Sequence, residues 1–264
     1  MMRNRALAVG AAAVALAVIA VVAVWFVFIR SDAPPPVTIE GAVASLSTAT
    51  PAPASTTPAP ATTAATAAAA PTASTPPAAA TASGDPASLA GDWQLATSGD
   101  SFVGYRVVEE LASFGANTAV GRTTDVTGTL SYDGSAITAV EIEANVATLS
   151  SDDSRRDNAL RRQALETGAF PTATFTLSQP IALDQVPVDG ETVEVTATGR
   201  LSLHGVARDV AVPIAGRLLD GRLVVVGSLE IAFADYGIQP PRAPLVLSVE
   251  DHATMELQLV FERA

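Results

Sequence analysis

The chain has 264 residues and a net charge of −12, with no cysteine, no lysine and two histidines. Without cysteine there are no disulfides, thiolate nucleophiles or Cys-ligated metals, and His204 and His252 lie too far apart in sequence to suggest a metal-ligand set. From Gly91 onward twelve arginines face twenty-four acidic residues, so this part repels phosphate backbones and nucleic acid is not an expected partner.

Residues 6–29 are apolar apart from one glycine. As a helix they would extend roughly 36 Å, enough for a bilayer core of about 30 Å. Trp25, Phe26 and Phe28 stand near the far end, where aromatic rings favour the interface. Arg3 and Arg5 precede the stretch on a short tail, which the positive-inside rule keeps in the cytoplasm. The segment 1–30 is therefore expected to be an uncleaved transmembrane anchor, with the rest of the chain extracytoplasmic on the cell membrane. The rival reading is a cleaved signal peptide. Its apolar core would be shorter, and Ile29-Arg30-Ser31-Asp32 is a poor cleavage context.

The segment 31–90 reads as a linker. Between Ser47 and Ser83 every residue is Ala, Pro, Ser or Thr, and prolines such as Pro51, Pro58, Pro71 and Pro77 forbid a continuous helix. Such a composition offers nothing to offset the entropy of ordering. A disordered coil of this length would hold a following domain about 40–45 Å from the membrane.

The segment 91–264 is the expected folded domain, and its apolar period is two. Val103, Tyr105 and Val107 share one parity. Val140, Ile142 and Ala144 alternate with Glu141 and Glu143, and Ala173, Phe175 and Leu177 alternate with threonines. Val193 to Leu203, Val210 to Ile214, Leu223 to Phe233 and Met255 to Phe261 continue the pattern, separated by turns at His204-Gly205 and Asp220-Gly221. This alternation marks antiparallel strands with one buried and one wet face. The expectation is an all-β fold of about eight strands, paired as two sheets or closed into a barrel. Residues 152–166 break the pattern as one short helix, capped by Asp152 or Asp153 with Leu160, Ala164 and Leu165 as its apolar stripe.

The order of motifs in this domain resembles the YceI-like family of lipocalin-like proteins. The pieces that carry the resemblance are Trp93, the run 101–107 (SFVGYRV), Val120-Gly121-Arg122 and Ala147-Thr148-Leu149. They continue with Arg156-Asp157-Asn158-Ala159-Leu160, the run 170–175 (FPTATF), the run 199–206 (GRLSLHGV) and the run 233–238 (FADYGI). The resemblance spans nearly the whole domain and none of the anchor or linker. It implies an eight-stranded antiparallel lipocalin-like barrel with a helix over one side, and binding of a polyisoprenoid or other lipid in an elongated apolar cavity. One position departs: where many relatives carry a histidine just beyond the Val-x-Tyr-x-Val alternation, this chain has Glu109.

Inward parity offers Val103, Tyr105, Val107, Ile142, Phe175, Leu177, Phe233, Met255 and Leu257 as candidate lining for a ligand. The same positions would equally fill an ordinary core. Arg155, Arg156, Arg161 and Arg162 form the largest cationic cluster, and Arg156, or Arg106 with Arg122, is a candidate for a ligand phosphate. The competing account pairs these arginines with Asp152, Asp153 and Asp157 on a solvated helix face. No nucleophile elbow, HExxH or phosphate loop is present, so no catalytic residue, metal or cofactor is expected. Two functions remain open. One is a non-enzymatic envelope protein that binds a long apolar amphiphile. The other is a structural or interaction module with no bound lipid.

Overall fold

The computed structural model describes residues 33–48, 89–112, 115–183, 186–242 and 246–264. The stretch 6–29 lies outside the described residues, and among those described no helix is long and apolar enough to cross a membrane.

Among the described residues there are twelve strands. They are β1 (Gly91–Leu95), β2 (Phe102–Leu111), β3 (Gly115–Thr123), β4 (Val126–Tyr132), β5 (Ala136–Asn145), β6 (Thr172–Leu177) and β7 (Ile181–Ala182), then β8 (Thr192–Leu203), β9 (Val206–Leu219), β10 (Arg222–Ala232), β11 (Val246–Val249) and β12 (His252–Arg263). Hydrogen bonding follows the order β1, β4, β5, β6, β8, β9, β10 and β12, and β12 returns to pair with β1. This closes an antiparallel barrel of eight strands, with no free edge around the ring.

Twelve strands fill eight positions because four of them are split: β1 with β2, β3 with β4, β6 with β7 along β5, and β11 with β12 along β2. β12 pairs with β2 through Thr254–Gln258 and with β1 through Phe261–Arg263, so β1 and β2 lie end to end along one neighbour. β3 and β4 do the same on the other side, pairing with β2 and β1. Among the described strands β3 pairs with β2 alone; near its junction with β4, Arg122 bridges to Ser150, just ahead of the helix.

Two hairpins fix the register. β8 and β9 pair through Leu203 and Val206, leaving His204 and Gly205 as a two-residue loop. Both loop residues have positive φ, as do Asp220 and Gly221 between β9 and β10. This is the type I′ geometry whose twist matches that of the flanking strands.

The expected helix forms as α2 (Ser154–Ala159), continued by a π-helical turn over Leu160–Ala164. Asp153 is the cap, its Oδ1 accepting the Arg155 amide at 2.8 Å. Leu160, Ala164 and Leu165 press onto a cluster that includes Val146, Leu149, Leu201, Ile231 and Ile238. The helix thereby covers one end of the barrel.

One element departs from the linker reading. Within 31–90, Ile39–Thr48 forms a helix, α1. Thr38 caps it, its Oγ1 accepting the Gly41 amide at 3.1 Å. Ile39 and Ala42 are buried against Val224 and Val226 of β10, with Leu46 and Ala215 alongside. The physical reason is visible in β10, which is apolar on both faces: Leu223 and Val225 point into the lumen, and Val224 and Val226 point out. A strand apolar on both faces needs a cover on each.

Beside α1 the outer wall is polar but buried. Glu256 of β12 is only 2% exposed, and its Oε1 accepts from Arg106 Nε at 3.0 Å. Arg122 approaches Glu256 Oε2 at 3.7 Å. Arg106 also donates to the carbonyl of Pro34 at 2.6 Å. Arg106 and Arg122 are therefore wall residues outside the barrel, not candidates for a head group within it.

Candidate functional site: an apolar lumen with one polar end

The lumen holds two abutting chambers. The first has a volume of about 160 Å³ and lies toward the β4–β5 and β9–β10 turns. Val103, Ile142, Phe175, Ala197, Val225 and Leu257 are among its walls. The second, of about 140 Å³, lies under the helical turn of Leu160 and Ala164. Val103, Ala173 and Met255 border both chambers, so together they run along the barrel axis. A strand of twelve residues such as β12 extends roughly 40 Å, and a barrel tilt of 35–45° leaves about 30 Å of axis. That is a shape for a slender, extended ligand.

Most of the candidate lining residues border one or both chambers. Val103, Tyr105, Val107, Phe233 and Met255 border the second chamber, and Ile142, Phe175, Met255 and Leu257 the first. Phe233 does so from a 3₁₀ turn, because β10 stops at Ala232. Leu177 is the exception. It ends β6 and borders neither chamber.

Two lumen aromatics owe their orientation to glycines. A Cβ on Gly121 would stand 2.4 Å from the Tyr105 ring, and one on Gly199 would stand 2.3 Å from Phe175. Any larger residue would drive these rings from their places.

The polar end is built around Glu109 and Arg156, which both border the second chamber. Arg156 donates from Nη2 to Glu109 Oε1 at 2.7 Å. Its Nη1 donates to Asp152 and to the Ser151 hydroxyl. Glu109 is 6% exposed and also accepts from Asn117 Nδ2 at 2.9 Å. The buried Asp157 accepts the Ser151 amide at 2.9 Å and the Ser151 hydroxyl at 2.6 Å, tying the loop to α2. The acids around Arg156 raise its pKa further, against the opposing effect of burial. The arginine thus arrives at the lumen already satisfied by carboxylates. Glu109 is its partner across 47 residues of sequence.

The Tyr105 hydroxyl reaches the same end buried and without a hydrogen-bond partner among the described residues. Ser151 stands close enough to influence its titration but outside hydrogen-bond geometry. Burial pushes the phenol up to about 12, with the nearby Arg156 charge working in the other direction. An unfolded tyrosine titrates near pH 10, so above that pH the unfolded chain loses a proton that the folded chain keeps. Stability that is complete below about pH 10 is therefore expected to fall by roughly 2–3 kcal/mol on passing pH 12. Tyr105→Phe removes this part of the loss. Burial also raises the pKa of Tyr132 and Tyr236, but those residues are common to both chains. Urea unfolding at about pH 9 and about pH 11.5 checks it, and equal losses in the two chains would contradict the assignment.

His204 braces the lid of this chamber. Its Nδ1 lies 3.0 Å from the Tyr236 carbonyl and its Nε2 lies 3.0 Å from Glu166, with Phe170 edge-on to the ring. The turn thus joins the helix end to the turn after β10, a structural role. Among the described residues no group of three His, Asp or Glu could hold a metal ion.

Closed antiparallel strands around an axial apolar cavity, with a helix across one end, define a lipocalin-like barrel. The model of the YceI-like domain matches residues 93–261, and the chain belongs to that family. A UPF0312 protein of Shewanella sp. strain MR-4 is 30% identical over 163 residues, which is 58% of this chain and 78% of that protein. A UPF0312 protein of Shewanella baltica strain OS155 is 29% identical over 151 residues, covering 53% and 75% of the two chains. Among solved structures, a polyisoprenoid binding domain from Saccharophagus degradans, implicated in plant cell wall breakdown, is 19% identical. It aligns with a TM-score of 0.53 over 65% of this chain and 98% of that one. At that identity the likeness concerns the fold.

Proposed function

We propose that this protein is a non-catalytic binder of a long apolar amphiphile, an isoprenoid or similar lipid. It would be held on the outer side of the cell membrane by the span expected at residues 6–29. The observation that carries the reading is the pair of chambers along the axis, walled almost wholly by aliphatic and aromatic side chains. Ligand sites of this kind are apolar with a few convergent polar groups. The solved polyisoprenoid binding domain of the same fold points the same way.

The tail occupies the lumen, and the head meets the Tyr105 hydroxyl. Arg156 is not free for a phosphate, because Glu109 and Asp152 already take its donors. A dianionic head would have to displace those carboxylates or sit beside them uncompensated. The site therefore suits an uncharged head that accepts one hydrogen bond.

Tyr105→Phe tests this. One neutral hydrogen bond contributes about 0.5–1.5 kcal/mol, so affinity for an unphosphorylated polyprenol is expected to fall about two- to tenfold. Uptake of a fluorescent polyprenol by lipid-stripped protein measures it. Unchanged affinity in the variant would remove Tyr105 from the head-group site.

A further inference from the structure

We infer that residues 33–48 are a strap that holds the barrel wall against the membrane surface, so that the number of residues between 48 and 89 does not set the height of the barrel. The inference rests on the reading of residues 6–29 as a membrane span. It replaces the 40–45 Å separation expected from linker length with close apposition.

The strap begins at the wall, where Arg106 holds the Pro34 carbonyl at 2.6 Å. It then crosses to β10 and β9. Ile39 and Ala42 are 6% and 1% exposed there, and the Val224 they cover is fully buried. Glu40 reaches Arg217 of β9 at 3.4 Å. Three independent contacts, on β2, β10 and β9, thus fix the segment along its length.

The other end of the intervening stretch is also fixed. Leu89 borders the first chamber, and its carbonyl accepts the Trp93 indole N–H at 3.2 Å. The carbonyl of Ala90 accepts from Arg263 at 2.9 Å. The described residues on both sides, up to 48 and from 89, are thus held on the barrel, so the number of residues between them has no bearing on its height.

What does set the height is the chain between the span and the strap. Ile29 and Pro34 are five residues apart, at most about 18 Å even when fully extended. An apolar ligand leaving the bilayer would then cross a short gap to the barrel.

The native chain has no cysteine, so Asp209→Cys on the exposed β8–β9 surface gives a unique labelling site. Energy transfer from a dye there to a rhodamine lipid, with the full chain in phosphatidylcholine vesicles, reads the height. Three forms are compared: native, one lacking residues 51–80, and one with 49–88 duplicated. The expected result is the same transfer efficiency in all three. With Ile39→Asp and Ala42→Asp together, efficiency should instead fall as the stretch lengthens, and amide exchange across 39–48 should rise more than tenfold. Efficiency that tracks length in the unmutated strap would overturn the proposal. So would rapid exchange of 39–48 in the native chain, which would show that the strap is not docked. A chain that fails to float with vesicles would overturn it at its premise, and protected amides in that same chain would show that the strap docks without a span.

Discussion

Replacing Ala197 with tryptophan is expected to abolish lipid retention while leaving the barrel folded. Ala197 points inward from β8 opposite Val212, and both border the first chamber. An indole at this position occupies the space that the proposed tail requires. Overpacking a filled core costs about 1–3 kcal/mol, but an open chamber takes the added atoms with little strain. The variant should therefore keep its unfolding free energy within about 1 kcal/mol of the parent and lose polyprenol affinity more than a hundredfold. Urea unfolding and fluorescent polyprenol uptake, measured on the same preparation, check both halves. A strongly destabilised variant would mean that the lumen is ordinary packed core. Undiminished uptake would mean that lipid binds elsewhere.

The second large effect concerns Glu109 and Arg156. Arg156→Met leaves the buried Glu109 carboxylate, among the described residues, with the Asn117 amide alone as a partner. Removing one member of a buried ion pair costs 3–5 kcal/mol, and the partial exposure of Arg156 places this case near 3 kcal/mol. Glu109→Met should cost less, because Arg156 keeps Asp152. The double variant, Arg156→Met with Glu109→Met, should recover most of the loss, since neither charge is then stranded in an apolar wall. Equilibrium unfolding of the four chains closes the cycle. If the two single losses simply add, the pair is not coupled and the polar end has been misassigned.

Much of this architecture was legible in period-two patterning. Val103, Tyr105, Ile142 and Leu257 were placed on the inner face by parity alone, because strand side chains alternate strictly. The two-residue turns at His204-Gly205 and Asp220-Gly221 were legible for a similar reason, since few residues tolerate positive φ. Leu177 shows the limit of parity. It specifies a face, but not whether the lumen still extends that far at the end of β6.

The polar end was only half legible. The arginines of α2 were visible as a cluster and Glu109 as a departure, but a pair 47 residues apart in sequence has no local signature. Glu256 is a similar case: an acidic residue at an outward position in β12 reads as solvated until Arg106 and Pro34 are seen above it. The helix at Ile39–Thr48 is hidden when 31–90 is read as one block of composition. Its signals were present. Thr38 stands ahead of an apolar face at Ile39, Ala42 and Leu46, and the run of Leu223 to Val226 lacks the polar alternation of its neighbours.

The central claim is that the lumen holds a long apolar lipid, and direct extraction tests it most simply. The full chain is expressed in a bacterial membrane, purified and cleared of loosely bound lipid. It is then extracted with organic solvent, and the extract is read by mass spectrometry beside that of the Ala197→Trp chain. The expected result is a single class of long-chain isoprenoid or similar lipid, close to one per barrel, present in the native extract and missing from the variant. Extracts that match each other, or a native barrel that is empty and takes up no added polyprenol, would contradict it.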